Sequence, residues 1–136
     1  MTVLVDTSIW SLMLRRSRRH LSREQEAQVA VLEELVAAGQ ARLTGAVRQE
    51  LLMGIKHHEQ FVRLRRALRH FVDVVLETED YESAAELSNQ CQARGIVGSS
   101  IDMLLCSVAL RRGWAIYTSD RDFERYARHL DITLHS

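Results

Sequence analysis

Short apolar runs alternate with stretches of helical periodicity along the whole chain. The runs are continuous, which is typical of strands buried on both faces of a parallel sheet. Five of them occur: "TVLVD" from residue 2, "ARLT" from residue 41, "FVDVVL" from residue 71, "WAIYTS" from residue 114 and "DITLH" from residue 131. The alternation predicts a three-layer α/β/α fold with a mainly parallel sheet of about five strands.

Capping signals predict where several helices begin and end. Ser22 with Gln25 has the spacing of a capping box, before a helix that ends near Gly39. Thr44 is placed to cap the helix "GAVRQELLMG". Further helices are predicted over "TSIWSLMLRR", over residues 58–70, from Thr78 to about Arg94, over "SSIDMLLCSVALRR" and over "RDFERYARH".

Length and composition indicate a single domain over residues 1–136. The chain is 46% hydrophobic and 26% charged, and none of its apolar runs approaches the ~18 residues of a membrane span. It begins without the basic segment of a signal peptide, and Cys91 and Cys106 lack the spacing of a zinc site. We therefore expect a cytoplasmic protein with reduced, buried thiols and no membrane partner.

Charge is balanced overall but unevenly distributed. Residues 1–70 hold 12 Lys and Arg against 7 acids, whereas residues 71–136 hold 6 against 11. Arg15, Arg16, Arg18 and Arg19 form a basic patch in a polar break, which is either a solvated turn or a nucleic-acid backbone contact. His57 and His58 are expected at the surface of a helix junction.

Four acids are candidates for a shared site. Asp6 and Asp120 directly follow the first and fourth predicted strands, and the carboxyl ends of parallel strands form the binding edge of an open sheet. Asp102 opens the helix that leads into the fourth strand, and Glu50 lies about one and a half turns into the helix after the second. Only the two strand-end acids are brought together by topology alone.

Each acid also has a purely structural explanation. Asp6 has the position of a helix N-cap, and Asp102 stands three residues after Ser99, as the acid of a capping box does. Glu50 is also explained as a solvated helix acid. Asp120 and its neighbour Asp122 could stabilise the start of a helix through its dipole.

Convergence of these acids would have a chemical consequence. Two carboxylates ~4 Å apart repel by about 4 kcal/mol at an effective dielectric constant near 20, so a cluster raises pKa values or recruits a cation. An all-oxygen donor set suits Mg²⁺ or Mn²⁺ rather than zinc. Such an ion supports phosphodiester hydrolysis by a metal-activated water.

The four motifs "VDTSIW", "TGAVRQELLMG", "SSIDMLLCSVALRRG" and "YTSDRDF" resemble, in order and spacing, the signature regions of PIN-domain nucleases. The similarity is greatest to VapC-type toxins of bacterial type II toxin–antitoxin pairs. No single motif is decisive, but four in order are specific and span nearly the whole chain.

The resemblance implies roles for individual residues. Asp6, Glu50, Asp102 and Asp120 match the family's catalytic acids, with Asp6, Asp102 and Asp120 as metal ligands and Glu50 acting through water or a second metal. Asp122 is expected to be structural. Small hydroxyls that the family keeps beside the site are matched by Thr7, Ser100 and Ser119.

The resemblance also implies partners. It predicts a Mg²⁺- or Mn²⁺-dependent endoribonuclease acting on RNA, often tRNA or rRNA, and a homodimer. It further predicts a VapB-type antitoxin whose tail covers the site. Arg65, Arg66 and Arg69 line one helical face that we interpret as solvated, or as an antitoxin contact, in preference to an RNA contact.

Four other functions compete with this one. A receiver-like signalling module needs a lysine near its last strand, and the sole lysine is Lys56. A dehalogenase-type phosphatase needs a second aspartate at position 8, where this chain has Ser8. A solitary RNA-processing PIN nuclease, or a non-catalytic PIN-like interaction module, stays open, although the intact acid quartet argues against the latter.

Overall fold

The computed structural model describes residues 1–15 and 18–136. Within them the strands are separated by helices, with four helices in succession between the second and the third strand. In chain order they are β1 Val3–Val5, α1 Thr7–Leu14, α2 Arg23–Ala37, β2 Ala41–Arg42, α3 Gly45–Leu52, α4 His58–Leu68, α5 Thr78–Ala93, α6 Ser100–Arg112, β3 Ala115–Tyr117 and α7 Asp122–Ala127. Arg16, one of the four arginines of the predicted basic patch, lies outside the described residues. None of the described helices combines the length and the apolar character that a bilayer span requires.

The sheet is parallel, with β1 in its centre between β2 and β3. Val3, Leu4 and Val5 of the central strand are fully buried, as the continuous apolar pattern predicts. The fold class is therefore confirmed, but the described residues form a sheet of three strands rather than about five.

The third and fifth predicted strands are each reduced to a single parallel bridge, Leu43 with Asp73 and Ile116 with Leu134. Side chains replace a neighbouring strand at the first of these segments. The Phe71 carbonyl accepts from Arg48 at 2.6 Å and the Val75 carbonyl accepts from Arg112 at 3.1 Å. These two arginines therefore hold the segment at both ends through its backbone carbonyls, in place of a longer ladder.

The predicted caps form where the sequence places them. Ser22 and Gln25 exchange both bonds of a capping box, and the Thr44 hydroxyl accepts from the Val47 amide. Gly113 ends α6 in the left-handed conformation, with φ of 70°, which glycine adopts at little cost. Cys91 and Cys106 are buried free thiols, as expected, and burial raises the pKa of both.

Helices α5 and α6 pack against each other through a buried carboxylate. Asp80 is fully buried, and its oxygens accept from Arg111 at 2.6 Å and from Arg112 at 2.7 and 2.9 Å. The hydrogen bond from Arg112 is the main reason that the pKa of Asp80 lies well below its usual range. This ion cluster fixes α6, the helix that carries Asp102, against α5.

Candidate active site

The first strand-end acid is buried at the carboxyl edge of the sheet. Asp6 is only 6% exposed, and its amide donates to the Tyr117 carbonyl of the neighbouring strand at 2.9 Å. It is the N-cap of α1, but its contact with the Ser8 amide is long, at 3.4 Å. Stronger bonds to its Oδ2 come from two hydroxyls, those of Ser8 and Thr118, both at 2.8 Å.

These hydroxyls belong to a small network that joins the ends of β1 and β3. Ser8 Oγ lies 3.3 Å from Thr118 Oγ1 and accepts from the Ser119 amide at 3.0 Å. Thr118 Oγ1 in turn accepts from the Asp120 amide, also at 3.0 Å. Because all the described donors to the Asp6 carboxylate bond Oδ2, its Oδ1 is available to a ligand.

Asp102 has only half of a capping box. Ser99 Oγ accepts from the Asp102 amide at 3.0 Å, so the serine caps α6 as predicted. Among the described residues the carboxylate makes no return bond to the Ser99 amide. Its Oδ2 instead accepts a 2.7 Å bond from the hydroxyl of Tyr126 on α7. The carboxylate is therefore turned away from its own helix end and towards the edge of the sheet.

A glycine makes room for the Tyr126–Asp102 contact. A Cβ atom at Gly98 would lie 2.6 Å from Met103 Cε, closer than real Cβ atoms approach, and 3.2 Å from the Tyr126 hydroxyl, which is a crowded contact. The ring of Tyr126 is buried, and its edge-on neighbour Phe123 is also fully buried. Glycine at this position therefore leaves space for the tyrosine hydroxyl beside the carboxylate.

Three carboxylates converge beside the Tyr126 hydroxyl. Ligand oxygens of Asp102, Asp120 and Asp122 all lie within 4.8 Å of one another. Asp120 Oδ1 accepts from the Asp122 amide at 2.9 Å, which turns the chain into α7. Asp122, expected from the sequence to be structural, also pairs with Arg125 at 3.0 Å.

Glu50 reaches the neighbourhood of the other acids from α3. Its Oε1 accepts a 2.6 Å bond from the hydroxyl of Thr7, the residue directly after Asp6. It is half-buried, so it is not the fully solvated helix acid that its local sequence also allows. The hydroxyl of Thr7 is thus the link between Glu50 and the end of β1.

The electrostatics of the site are those of crowded negative charge. Burial raises the pKa of Asp102, and the nearby carboxylates of Asp6 and Asp120 raise it further. Burial and the bond to Asp102 also raise the pKa of Tyr126, so this hydroxyl stays protonated and donates. The site holds negative charge that a cation would stabilise.

These residues fit a divalent metal by the chemistry of their donor atoms. The donors are carboxylate oxygens, which hard cations prefer. Oδ2 of Asp6 and Oδ2 of Asp102 are each held by protein hydroxyls, which leaves the second oxygen of each free to bind. Hydrogen bonding of this kind orients ligands in metal sites.

A family model described as the PIN domain matches residues 3–129. The chain belongs to the PIN domain family.

Solved structures share the fold of this PIN domain over nearly its whole length. FitAcB from Neisseria gonorrhoeae is 18% identical, with a TM-score of 0.78 over 99% of this chain and 97% of that chain. VapBC2 from Rickettsia felis, in a structure bound to a DNA fragment from the VapBC2 promoter, is also 18% identical, with a TM-score of 0.73 over 99% of this chain and 98% of that chain. A toxin-antitoxin complex from Klebsiella pneumoniae is 19% identical, with a TM-score of 0.66 over 90% of each chain.

The other sequence candidates in this PIN domain differ in their placement. Thr7 bonds Glu50, and Ser119 joins the hydroxyl network through its backbone amide. Ser100 is exposed and lines a cavity of about 420 Å³ between α5 and α6 instead. The roles of Ser8, Thr118 and Tyr126 were not predicted. Thr118 carries a sequence signal, because it lies at the carboxyl end of a strand and two residues before Asp120, but the reach of Tyr126 from α7 has none.

Proposed function

We propose that this PIN domain is a Mg²⁺- or Mn²⁺-dependent endoribonuclease and the toxin of a VapBC-type toxin–antitoxin pair. The observation that supports it best is the convergence of the Asp102, Asp120 and Asp122 carboxylates. Burial raises the pKa of Asp102, and the carboxylates of Asp6 and Asp120 raise it further. Carboxylates that contribute only to stability would gain nothing from such crowding.

Each side chain has a role that follows from its contacts. Asp6, Asp102 and Asp120 would hold the ion, and Thr7 keeps Glu50 placed to orient water or a second ion. A bound Mg²⁺ lowers the pKa of water and neutralises charge on a phosphate. Tyr126 keeps the Asp102 carboxylate in one orientation, and Ser8 and Thr118 do the same for Asp6.

Cleavage of RNA by an Asp6→Asn variant tests the catalytic proposal. Asparagine retains an acceptor for Ser8 and Thr118, so the fold should persist while a charged ligand is lost. We expect cleavage under matched Mg²⁺ to fall at least a hundredfold, with an unchanged circular dichroism spectrum. Asp131→Asn, an exposed aspartate, is the matched control. Equal cleavage by wild type and Asp6→Asn would exclude the proposed mechanism.

The toxin role is proposed from the resemblance and is supported by the fold shared with a chain of a toxin–antitoxin complex. It predicts a VapB-type antitoxin, encoded by a short neighbouring reading frame, with a cationic residue that pairs with the acids. Induced expression of this chain in bacterial cells should stop growth, and co-expression of the neighbouring antitoxin gene should restore it. Cleavage in vitro without toxicity would favour the second candidate, a solitary RNA-processing nuclease.

We also propose a homodimer, which the family resemblance implies. Light scattering on the purified chain tests it directly. A mass twice that of the 15.6 kDa chain is expected, and a monomeric mass at micromolar concentration would contradict it.

A further inference from the structure

Helix α4 presents a continuous cationic surface. We define the α4 basic face as Lys56, Arg63, Arg65, Arg66 and Arg69, all of which are exposed. Leu64 and Leu68, on the opposite side of the helix, are buried in the core. The face therefore results from the amphipathic pattern that docks the helix, and its charges point to solvent.

The cations of the α4 basic face have no acidic partner within the described part of the chain. Glu59 is the single acid between residues 53 and 70. By contrast, Arg48, Arg111, Arg112 and Arg125 are all paired with aspartates. Five unpaired cations of the described residues thus lie together on and beside α4, where they are available to an external polyanion.

The surface of α4 contains two successive hollows. One of about 180 Å³ lies between Val62, Arg65, Arg66 and Arg69. A second, of about 470 Å³, is lined by Lys56, His57, His58, Glu59, Gln60 and Arg63. Eleven residues of helix extend about 16 Å, so the face is long enough to contact consecutive groups of one extended ligand.

This face lies beside the helix that supplies Glu50. Helix α4 packs against α3, and Arg48 of α3 donates to the Leu68 carbonyl at the end of α4 at 2.9 Å. Lys56 follows Glu50 by only six residues, which limits their separation to about 20 Å. The cationic surface therefore adjoins one wall of the acidic site.

The exposed acids of α5 lie away from the site. Glu79 and Glu82 flank Asp80, which pairs with Arg111 and Arg112 at the opposite end of α6 from Asp102. The acid cluster itself would repel a polyanion. Attraction is available on the α3–α4 side, so a phosphate chain would reach the site from that direction.

We infer that the α4 basic face binds the phosphate backbone of the RNA substrate and guides it towards the acid cluster, an inference that rests on the proposed nuclease function. It replaces the interpretation of Arg65, Arg66 and Arg69 drawn from sequence alone. Guanidinium groups pair well with phosphate oxygens. Arg65 also lies over the ring of Phe61, with its guanidinium carbon 5.7 Å from the ring centroid.

RNA binding measured in the presence of EDTA tests this inference, because removal of divalent metal prevents cleavage during the measurement. Fluorescence anisotropy of a labelled single-stranded RNA oligonucleotide is followed at several KCl concentrations. Arg66→Gln and Arg69→Gln should each weaken binding several-fold and reduce the slope of log K against log salt by about 0.7, the value for one lost phosphate contact. Glutamine is a good helix former, so α4 should remain folded.

Two single substitutions serve as controls. One removes a negative charge from α4 and the other removes a positive charge elsewhere. Glu59→Gln removes the one acid of α4 and should strengthen RNA binding. Arg128→Gln makes the same change as Arg66→Gln at the exposed end of α7, outside both basic segments of the chain, and should leave the slope unchanged. Equal weakening by Arg128→Gln and Arg66→Gln would overturn the inference.

An acidic polypeptide is the competing ligand for the same surface. If Arg66→Gln weakens binding of a polyglutamate peptide but leaves RNA affinity and its salt slope unchanged, the inference is wrong. The proposed nuclease function fails separately. If the chain binds RNA through α4 but never cuts it, the proposed nuclease function is wrong and the inference about α4 stands. If the chain cuts RNA and substitutions on α4 have no effect, the nuclease function stands and the inference is wrong.

Discussion

Asp102 shows how a side chain with the spacing of a helix cap can be drawn into the candidate site instead. Its spacing from Ser99 suits a capping box, yet its carboxylate accepts from Tyr126 of α7. Burial and two neighbouring carboxylates raise its pKa, so the ionised form is held at a cost. The hydroxyl of Tyr126 offsets part of this cost and fixes one oxygen.

Removing that hydroxyl should therefore impair metal binding more than it impairs folding. Tyr126→Phe keeps the buried ring but frees the Asp102 carboxylate. Loss of a hydrogen bond to a ligand commonly costs tenfold or more in metal affinity. We expect at least a tenfold higher Mg²⁺ concentration for half-maximal cleavage, with saturating rates closer to wild type.

Tyr117→Phe is the matched control for this substitution. It removes a hydroxyl that donates to the Gln28 carbonyl at 3.0 Å, away from the acids. Its Mg²⁺ requirement should equal that of wild type. If Tyr126→Phe has the same Mg²⁺ requirement as Tyr117→Phe, Tyr126 has no positioning role.

At the scale of elements, local signals predict helix ends well and sheet edges poorly. The caps of Ser22, Thr44 and Ser99 depend on residues three positions away, so sequence is sufficient to place them. The segments 71–76 and 131–135 depend on distant partners. Guanidinium groups of Arg48 and Arg112 occupy backbone acceptors of the first segment, which no local pattern indicates.

The α5–α6 pair gives a prediction about stability. Asp80→Asn would leave Arg111 and Arg112 beside a neutral side chain, and breaking a buried ion pair costs about 3 kcal/mol or more. The two arginines are partly exposed, so we expect about 3 kcal/mol in chemical unfolding. Asp73→Asn, which breaks an exposed pair with Arg48, should cost under about 1 kcal/mol.

Acid unfolding tests in which direction pH changes the stabilisation that Asp80 provides. The pKa of Asp80 is lowered from 3.8 in the folded state, so its stabilisation is complete above that value and is lost as the pH falls below it. Wild type should lose more unfolding free energy than Asp80→Asn between pH 5 and pH 2. Parallel losses in the two proteins would contradict the ion-cluster account.

At the scale of the whole molecule, the fold collects acids from distant parts of the chain into one region and separates charge across the surface. Strand ends alone bring Asp6 and Asp120 to the same edge, which the sequence predicts. The addition of Asp122 and the tether from Tyr126 depend on the docking of α7 and were not predictable from spacing. The acidic α5 and the basic α4 follow directly from composition.

The central claim is that these acids together bind a divalent cation. Calorimetric titration of Mn²⁺ into the wild-type chain, Asp6→Asn, Asp102→Asn and the control Asp131→Asn tests it most directly. We expect binding by wild type and by Asp131→Asn, and at least tenfold weaker binding by both site variants, which each lose a charged ligand. Unchanged Mn²⁺ affinity in Asp6→Asn and Asp102→Asn would contradict the account.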